Sequence, residues 1–181
     1  MGVIFIITLY ANIIIFVKVF IMEKKDVKLE FIDKSEKAAL YTICFKGNDT
    51  SEFADFMLKY KNNADLKQDY RYIVYALSKI LENGALERYF RPEGKIKDNL
   101  SALPIEHGKL RLYCLRISDQ ILILGNGGVK RTKKYNEDEE LSGYVISLQK
   151  FDEILKGEIM KGSITIEHTS IEGIDDKYFR L

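Results

Sequence analysis

Residues 110–135 have the sequence LRLYCLRISDQILILGNGGVKRTKKY, in which two apolar segments are followed at once by a run of basic residues. Residues 110–117 and 120–124 are rich in strand-forming side chains, and the two residues between them predict a short hairpin turn. Residues 110–117 carry apolar side chains at both alternating positions, which indicates a central strand. With a further strand predicted at 101–106, this part of the chain is expected to form an antiparallel meander.

Positive charge is concentrated in the same part of the chain. Residues 107–135 contain seven lysines and arginines but one acid, Asp119, in a chain whose net charge is +1. The seven are Lys109, Arg111, Arg116, Lys130, Arg131, Lys133 and Lys134. Such a concentration indicates a partner that carries phosphate groups. Gly125, Gly127 and Gly128 permit a bulge that would re-aim the strand before the basic run.

Two helices are predicted before this strand region. After a polar entry and a strand at residues 38–46, the first helix covers residues 51–61, with Thr50 or Ser51 as its N-cap. The second covers residues 64–82, where apolar side chains recur at three- and four-residue steps. Together they predict a helical hairpin with a shared apolar side.

A last helix is predicted after the basic run. Asn136 followed by Glu139 has the spacing of a capping box. The buried stripe expected on this helix is Leu141, Val145, Leu148, Phe151 and Leu155. Residues 163–167 predict a short strand, residues 85–99 a loop, and the tail to Leu181 has no clear role in the fold.

The composition predicts one folded domain of the α+β class. With 46% hydrophobic and 30% charged residues, the chain can bury a sizeable core, and we assign residues 22–181 to a single domain. Cys44 and Cys114 both lie in apolar, strand-like segments, where reduced and buried thiols are expected. Reduced thiols indicate a cytoplasmic protein.

Residues 1–21 form a hydrophobic extension. Residues 3–21 are a run of 19 mostly apolar residues, just long enough to span a bilayer. One interpretation is a membrane anchor, with the lysines that follow held in the cytoplasm. The other is a start-site artefact, in which translation begins at Met22 and the upstream codons are AT-rich DNA in frame. The extension lacks the basic region and the cleavage site of a signal peptide.

The order of elements, from strand through helical hairpin and antiparallel strands to a basic turn and a helix, resembles the RelE/ParE toxin superfamily. The nearest part of that superfamily is its HigB-like, phage-derived branch. The matching motifs are Leu110-Arg111-Leu112-Tyr113, Ile121-Leu122-Ile123-Leu124-Gly125 and Lys130-Arg131-Thr132-Lys133-Lys134. The resemblance covers about residues 50 to 155. It implies a RelE-like antiparallel sheet packed against an N-terminal helical hairpin, with a C-terminal helix.

The resemblance also implies a function. Members of this superfamily are toxins of type II toxin–antitoxin systems that enter the ribosomal A site, cleave mRNA and inhibit growth. A cognate antitoxin with a helix-turn-helix DNA-binding domain holds the toxin in check. The implied chemistry uses neither metal nor cofactor, because the RNA 2′-OH attacks the adjacent phosphate while the protein positions the backbone and stabilises charge.

Roles for individual residues follow from this resemblance. Arg111 and Arg116 would clamp phosphate, since guanidinium presents a planar fork to its oxygens. Lys133 would stabilise developing charge, and Tyr113, Tyr135 and His107 are candidates for proton transfer or base stacking. The residues expected to bind the RNA backbone are Lys109, Lys130, Arg131 and Lys134, with Tyr135 beside them.

Each of these residues has a structural alternative. Arg116 can pair with Asp119, Tyr113 can belong to the core, His107 can be a turn residue, and the basic run can be a solvated surface. Two other functions also stay open: inhibition of a protein target, as in the gyrase-directed ParE branch, and binding of a helix-turn-helix regulator by an inactive relative. The sequence contains no phosphate-binding Gly-Lys-Ser/Thr loop and no zinc-ligand spacing.

Overall fold

The computed structural model describes residues 25–93, 98–104, 108–131 and 137–181. Within these residues the chain forms three α-helices and nine strands. The helices are α1 (Glu52–Tyr60), α2 (Lys67–Asn83) and α3 (Glu139–Met160). The strands are β1 (Asp26–Lys34), β2 (Ala39–Phe45), β3 (Arg91–Pro92), β4 (Leu100–Leu103), β5 (Leu110–Arg116), β6 (Ile121–Val129), β7 (Thr165–Ile166), β8 (Ile171–Glu172) and β9 (Phe179–Arg180).

The described strands form one large mixed sheet and one small ribbon. The large sheet has the order β3-β4-β5-β6-β2-β1-β9, and β7 pairs with β8 alone. The α+β class and the antiparallel meander of β4, β5 and β6 are confirmed. The expected antiparallel sheet is mixed in the structure, because β2 runs parallel to β6 with Ala39 opposite Ile121. The two helices between β2 and the meander allow the chain to re-enter beside β2 in the same direction.

The sheet is covered on both faces. Helices α1 and α2 lie on one face, where Phe56, Ile73 and Ile80 are fully buried against Leu112 and Leu122. Helix α3 lies on the other face. Its predicted stripe is confirmed, since all five of its side chains are at most 1% exposed. Strand β5 is therefore central and buried on both sides, as its apolar pattern predicts.

Two of the helices, α1 and α3, begin with an N-cap side chain. Ser51 caps α1 by accepting a hydrogen bond from the N–H of Ala54. Asp138 caps α3 by accepting from the N–H of Leu141 at 3.2 Å, so the helix begins at Glu139. The predicted cap at Asn136 is therefore wrong by two residues, and Asn136 itself lies outside the described residues.

The predicted glycine bulge is present between β5 and β6. The register shifts by one residue between the pairs Leu112–Gly127 and Cys114–Leu124. A β-carbon on Gly127 would lie 1.9 Å from the carbonyl oxygen of Arg111, which is far inside contact distance. Only glycine lets the two backbones approach this closely at the bulge.

The C-terminal segment, which had no predicted role, closes the second face of the sheet. Strand β9 pairs with the beginning of β1, and the Phe179 ring packs edge-on against Phe151 with centroids 5.1 Å apart. The Lys177 ammonium lies 2.5 Å from the Glu158 carboxylate at the end of α3. A two-residue strand that pairs with a segment about 150 positions away leaves no local pattern to detect.

The Glu158 carboxylate makes the C-terminal closure dependent on pH. Hydrogen bonds from Lys177, Lys161 and Ser163 lower its pKa to about 2. Because the folded pKa lies below the unfolded one, this stabilisation is present above about pH 4.3 and is lost as the pH falls toward 2. We expect NMR titration of the Glu158 carboxyl to give a midpoint near 2. In Lys177→Ala the midpoint should move upward, and an unchanged midpoint would contradict the contact.

Candidate nucleic-acid interface

One edge of the large sheet gathers the basic residues. Because β5 runs antiparallel to β6, the start of β5 lies beside the end of β6, with Leu110 opposite Val129. Lys109, which comes just before β5, therefore lies beside Lys130 and Arg131, which come just after β6. The backbone N–H of Lys130 donates to the carbonyl oxygen of Lys109 at 2.7 Å. The predicted RNA-binding residues Lys109, Lys130 and Arg131 are thus brought together.

Arg111 lies just inside this edge. Its side chain is 7% exposed, and its Nη1 donates to the carbonyl oxygens of Gly108 at 3.0 Å and Leu110 at 2.9 Å. Burial lowers the pKa of the guanidinium, and the neighbouring charge of Arg91 lowers it further. Arg111 therefore fixes the strand entry and places a positive charge beneath the surface.

Arg91, which the sequence patterns did not single out, belongs to the same edge. It lies opposite Ala102, and Ala102 lies opposite Tyr113, two residues along β5 from Arg111. Residues two apart on a strand share a face, so both arginines project from the same side of the sheet. The Arg91 side chain is 46% exposed, and its Nε lies 3.4 Å from Glu93. We call Arg91, Lys109, Arg111, Lys130 and Arg131 the basic edge.

Asp69 on α2 holds the loop that enters the basic edge. Its Oδ2 accepts hydrogen bonds from the N–H of Lys109 at 2.6 Å and of Leu110 at 3.0 Å. Gly108 has a φ of +73°, and a β-carbon there would lie 2.5 Å from the Asp69 carboxyl carbon. The glycine thus lets the carboxylate reach the backbone. A cleft of about 470 Å³ between this loop and Arg131 lies directly beside the contact.

Arg116 does not join the basic edge. It lies five residues from Arg111, about 17 Å along the strand, and on the opposite face. Its Nε donates to the Ala85 carbonyl oxygen at 2.6 Å, and its Nη2 pairs with Asp119. The two arginines that were predicted to clamp phosphate therefore lie apart, and the alternative for Arg116, a pair with Asp119, is confirmed. Arg116 ties the β5–β6 turn to the chain after α2.

The remaining predicted residues fall into two groups. Tyr113 is 1% exposed within the core beneath α3, so its alternative as a core residue is confirmed. His107, Lys133, Lys134 and Tyr135 lie outside the described residues. Among the residues that are described, no group of three or more His, Cys, Asp or Glu side chains is arranged to hold a metal ion.

No protein-family model matches the chain, and neither a curated protein nor a solved structure is significantly similar to it. Over the described ranges, which begin at Lys25, none of the helices combines the length and the apolar character needed to cross a bilayer.

Proposed function

We propose that the chain is a toxin of a type II toxin–antitoxin system and acts as a ribosome-dependent, metal-independent mRNA endoribonuclease of the RelE/ParE superfamily. The observation that carries the proposal is the basic edge. Five positive residues lie along one border of the sheet: Arg91 on β3, Lys109 and Arg111 around the start of β5, and Lys130 and Arg131 after the end of β6. A border of this charge suits a backbone of phosphates.

The proposed chemistry needs positioning and charge more than a covalent participant. When the RNA 2′-OH attacks the adjacent phosphate, negative charge develops on the phosphate oxygens, and preorganised cations stabilise it. In this proposal Lys109, Lys130 and Arg131 contact the flanking backbone. Arg91 presents its exposed guanidinium to the reacting phosphate, and the buried Arg111 adds to the positive electrostatic potential at that point. His107 and Tyr135 remain the candidates for proton transfer.

An apolar groove supports the part of the proposal that concerns a protein partner, the antitoxin. Phe53, Met57 and Leu58 on α1 border a groove of about 810 Å³ together with Phe31 on β1. Phe31 is 54% exposed and Leu58 is 62% exposed. Exposed apolar side chains in one groove are typical of protein contacts. We propose the cognate antitoxin as its occupant, and the same groove favours a protein-inhibiting relative of ParE as the alternative function.

The test is induction of the full chain in a bacterial host, with new mRNA 5′ ends mapped by sequencing. We expect cuts with the natural sequence and at least about tenfold fewer with Lys130→Ala/Arg131→Ala. That factor follows because a hydrogen bond to a charged group contributes about 1.5 kcal/mol. The matched control is Lys34→Ala/Lys37→Ala, two exposed lysines at the opposite edge of the sheet.

The outcomes separate the candidate functions. Cuts that persist in the control and fall in the basic-edge variant would support the endoribonuclease. Growth arrest without new 5′ ends would contradict cleavage and favour the protein-target inhibitor. If folded protein causes neither new 5′ ends nor growth arrest, the remaining candidate is an inactive relative that binds a helix-turn-helix regulator.

A further inference from the structure

Strand β1 has an open edge on the side away from β2. The two-residue strand β9 covers only the beginning of β1, where Asp26 lies opposite Arg180 and Val27 lies opposite Phe179. Beyond Val27, none of the described strands pairs with β1 on that side. Within the described part of the chain, residues 28–34 therefore form a border of the large sheet.

Hydrogen bonds at the beginning of β1 show which residues face each of its two sides. The N–H of Lys46 donates to the carbonyl oxygen of Asp26 at 2.8 Å, so Asp26 faces β2. The N–H of Leu181 donates to the carbonyl oxygen of Lys25 at 3.0 Å, so Lys25 faces the side of β9. The backbone groups of neighbouring residues in β1 therefore point to opposite sides, as in any antiparallel strand.

The same alternation identifies the groups that point out of the open edge. Lys28 and Glu30 face β2, whereas Leu29 and Phe31 face outward. Each outward residue presents one N–H and one C=O, and among the described residues no strand pair or hydrogen bond reaches these groups. Such a row of alternating donors and acceptors is complementary to the backbone of another extended strand.

The open stretch is limited at both ends. At one end, Val27 is already paired with Phe179. At the other end, the register of β1 shifts between Phe31 and Asp33, and the Oδ1 of Asp33 accepts from the N–H of Lys34 at 2.8 Å. An added strand of about five residues would therefore fill the edge, which is a common length for a strand.

The apolar groove of α1 lies directly beside this edge. Phe31 and Ile32 of β1 border the groove together with Met57 and Leu58 of α1. A strand added to β1 would lie about 4.8 Å from it, and every second side chain would point toward α1. Those side chains would cover Leu58, which is 62% exposed. Among the described residues that border the groove, Lys61 is the only charged one, so the groove suits apolar side chains with an acidic one nearby.

We propose that the open edge of β1 binds an extended peptide segment of a partner protein, which carries apolar side chains at alternate positions and an acidic residue that meets Lys61. Its backbone exchanges hydrogen bonds with Leu29 and Phe31 and extends the large sheet by one strand. A second copy of this chain fits less well. Symmetric pairing through Leu29 and Phe31 would set Glu30 opposite Glu30 of the copy, where like charges are unfavourable.

The inference goes beyond the proposed antitoxin contact, because it defines the conformation of the segment that enters the groove. It holds for any protein that carries such a segment, and it does not depend on RNA cleavage. Peptide binding without mRNA cleavage would keep this site and remove the endoribonuclease. Cleavage without peptide binding would do the reverse.

Amide hydrogen exchange of the full chain tests whether the edge is open. We expect the N–H groups of Leu29 and Phe31 to exchange at least about a hundredfold faster than those of Lys28 and Glu30, which face β2. Protection of Leu29 and Phe31 in the free chain would overturn the proposal. Protection that rises with protein concentration would indicate a second copy as the occupant, and protection independent of concentration would indicate a segment of the chain itself.

The probe for binding is the peptide Glu-Thr-Val-Thr-Val-Thr-Glu, titrated into the full chain and followed by NMR. At saturation it should slow the exchange of the Leu29 and Phe31 amides at least about tenfold. The same peptide with methylated backbone nitrogens keeps the side chains but lacks the donors, so it should bind at least about tenfold more weakly. No binding, equal binding of the two peptides, or binding without protection of Leu29 and Phe31 would overturn the proposal.

Variants of the chain test the groove. Leu58→Ser should weaken the peptide about tenfold, because it removes apolar surface that the added strand covers. Tyr75→Ser is the matched control, since Tyr75 is also 62% exposed but lies on α2 and does not border the groove. Thermal melting checks that both variants are folded. Equal losses in the two variants would contradict a strand that lies over the groove.

The charge of the peptide tests the contact with Lys61. Replacing both glutamates of the peptide by lysines should weaken binding about threefold, the effect expected of an exposed ion pair. Lys61→Ala should abolish the difference between the acidic and the basic peptide. A difference that persists in folded Lys61→Ala would contradict the acidic residue assigned to the partner.

Discussion

Gly127→Ala is expected to unfold the protein. The added methyl would lie 1.9 Å from the Arg111 carbonyl oxygen and 2.9 Å from the α-carbon of Leu112, both in the backbone of the neighbouring strand. Backbone in the centre of a sheet cannot move aside as a flexible side chain does. We expect a cost above about 4 kcal/mol, which is comparable with the whole stability of a marginal domain. Urea denaturation followed by circular dichroism measures it.

The matched control for this prediction is another glycine replaced by the same residue. Gly157 lies within α3, where a β-carbon would meet nothing within 4 Å. Alanine there should stabilise the protein by up to about 1 kcal/mol through its higher helix propensity. If Gly127→Ala melted within a few degrees of the natural protein, the close approach at the bulge would be refuted.

Local patterns predicted the elements whose signal lies within one segment. The meander of β4, β5 and β6 and the buried stripe of α3 follow from apolar periodicity that a few neighbouring residues carry. Strand β1 has the same kind of signal, with Val27, Leu29 and Phe31 alternating with polar residues, yet its polar composition suggested an entry segment. Val27 and Leu29 are buried in the core that includes α3 and the C-terminal segment, whereas Phe31 is 54% exposed.

Pairings between distant segments could not be predicted in this way. The parallel contact of β2 with β6 joins residues about 80 positions apart, and no residue type along either strand encodes its direction. The same limit applied to the candidate site. The opposite faces of Arg111 and Arg116 could be predicted, because the two residues are five apart on one strand, but the position of Arg91 could not. Arg91 reaches the basic edge only because β4 lies between β3 and β5.

Arg91→Ala is expected to lower the rate of mRNA cleavage about a hundredfold. In the proposed mechanism the exposed guanidinium meets the charge that develops on the reacting phosphate, and loss of one such donor typically costs a factor of about 10² to 10³. Arg91→Lys should recover only part of the rate, since an ammonium lacks the planar fork. Single-turnover cleavage of ribosome-bound mRNA by purified protein measures the three rates.

The control for Arg91 is an arginine three residues earlier. Arg88 is exposed and stacks on Tyr89, with its guanidinium 5.3 Å from the ring centre, so Arg88→Ala removes the same charge away from the basic edge. It should leave the cleavage rate within about twofold, because an exposed charge at a distance is screened. A hundredfold loss in both variants would indicate that total charge governs cleavage. An unchanged rate in Arg91→Ala, with a loss in Lys130→Ala/Arg131→Ala, would move the reacting phosphate to the cleft beside Arg131.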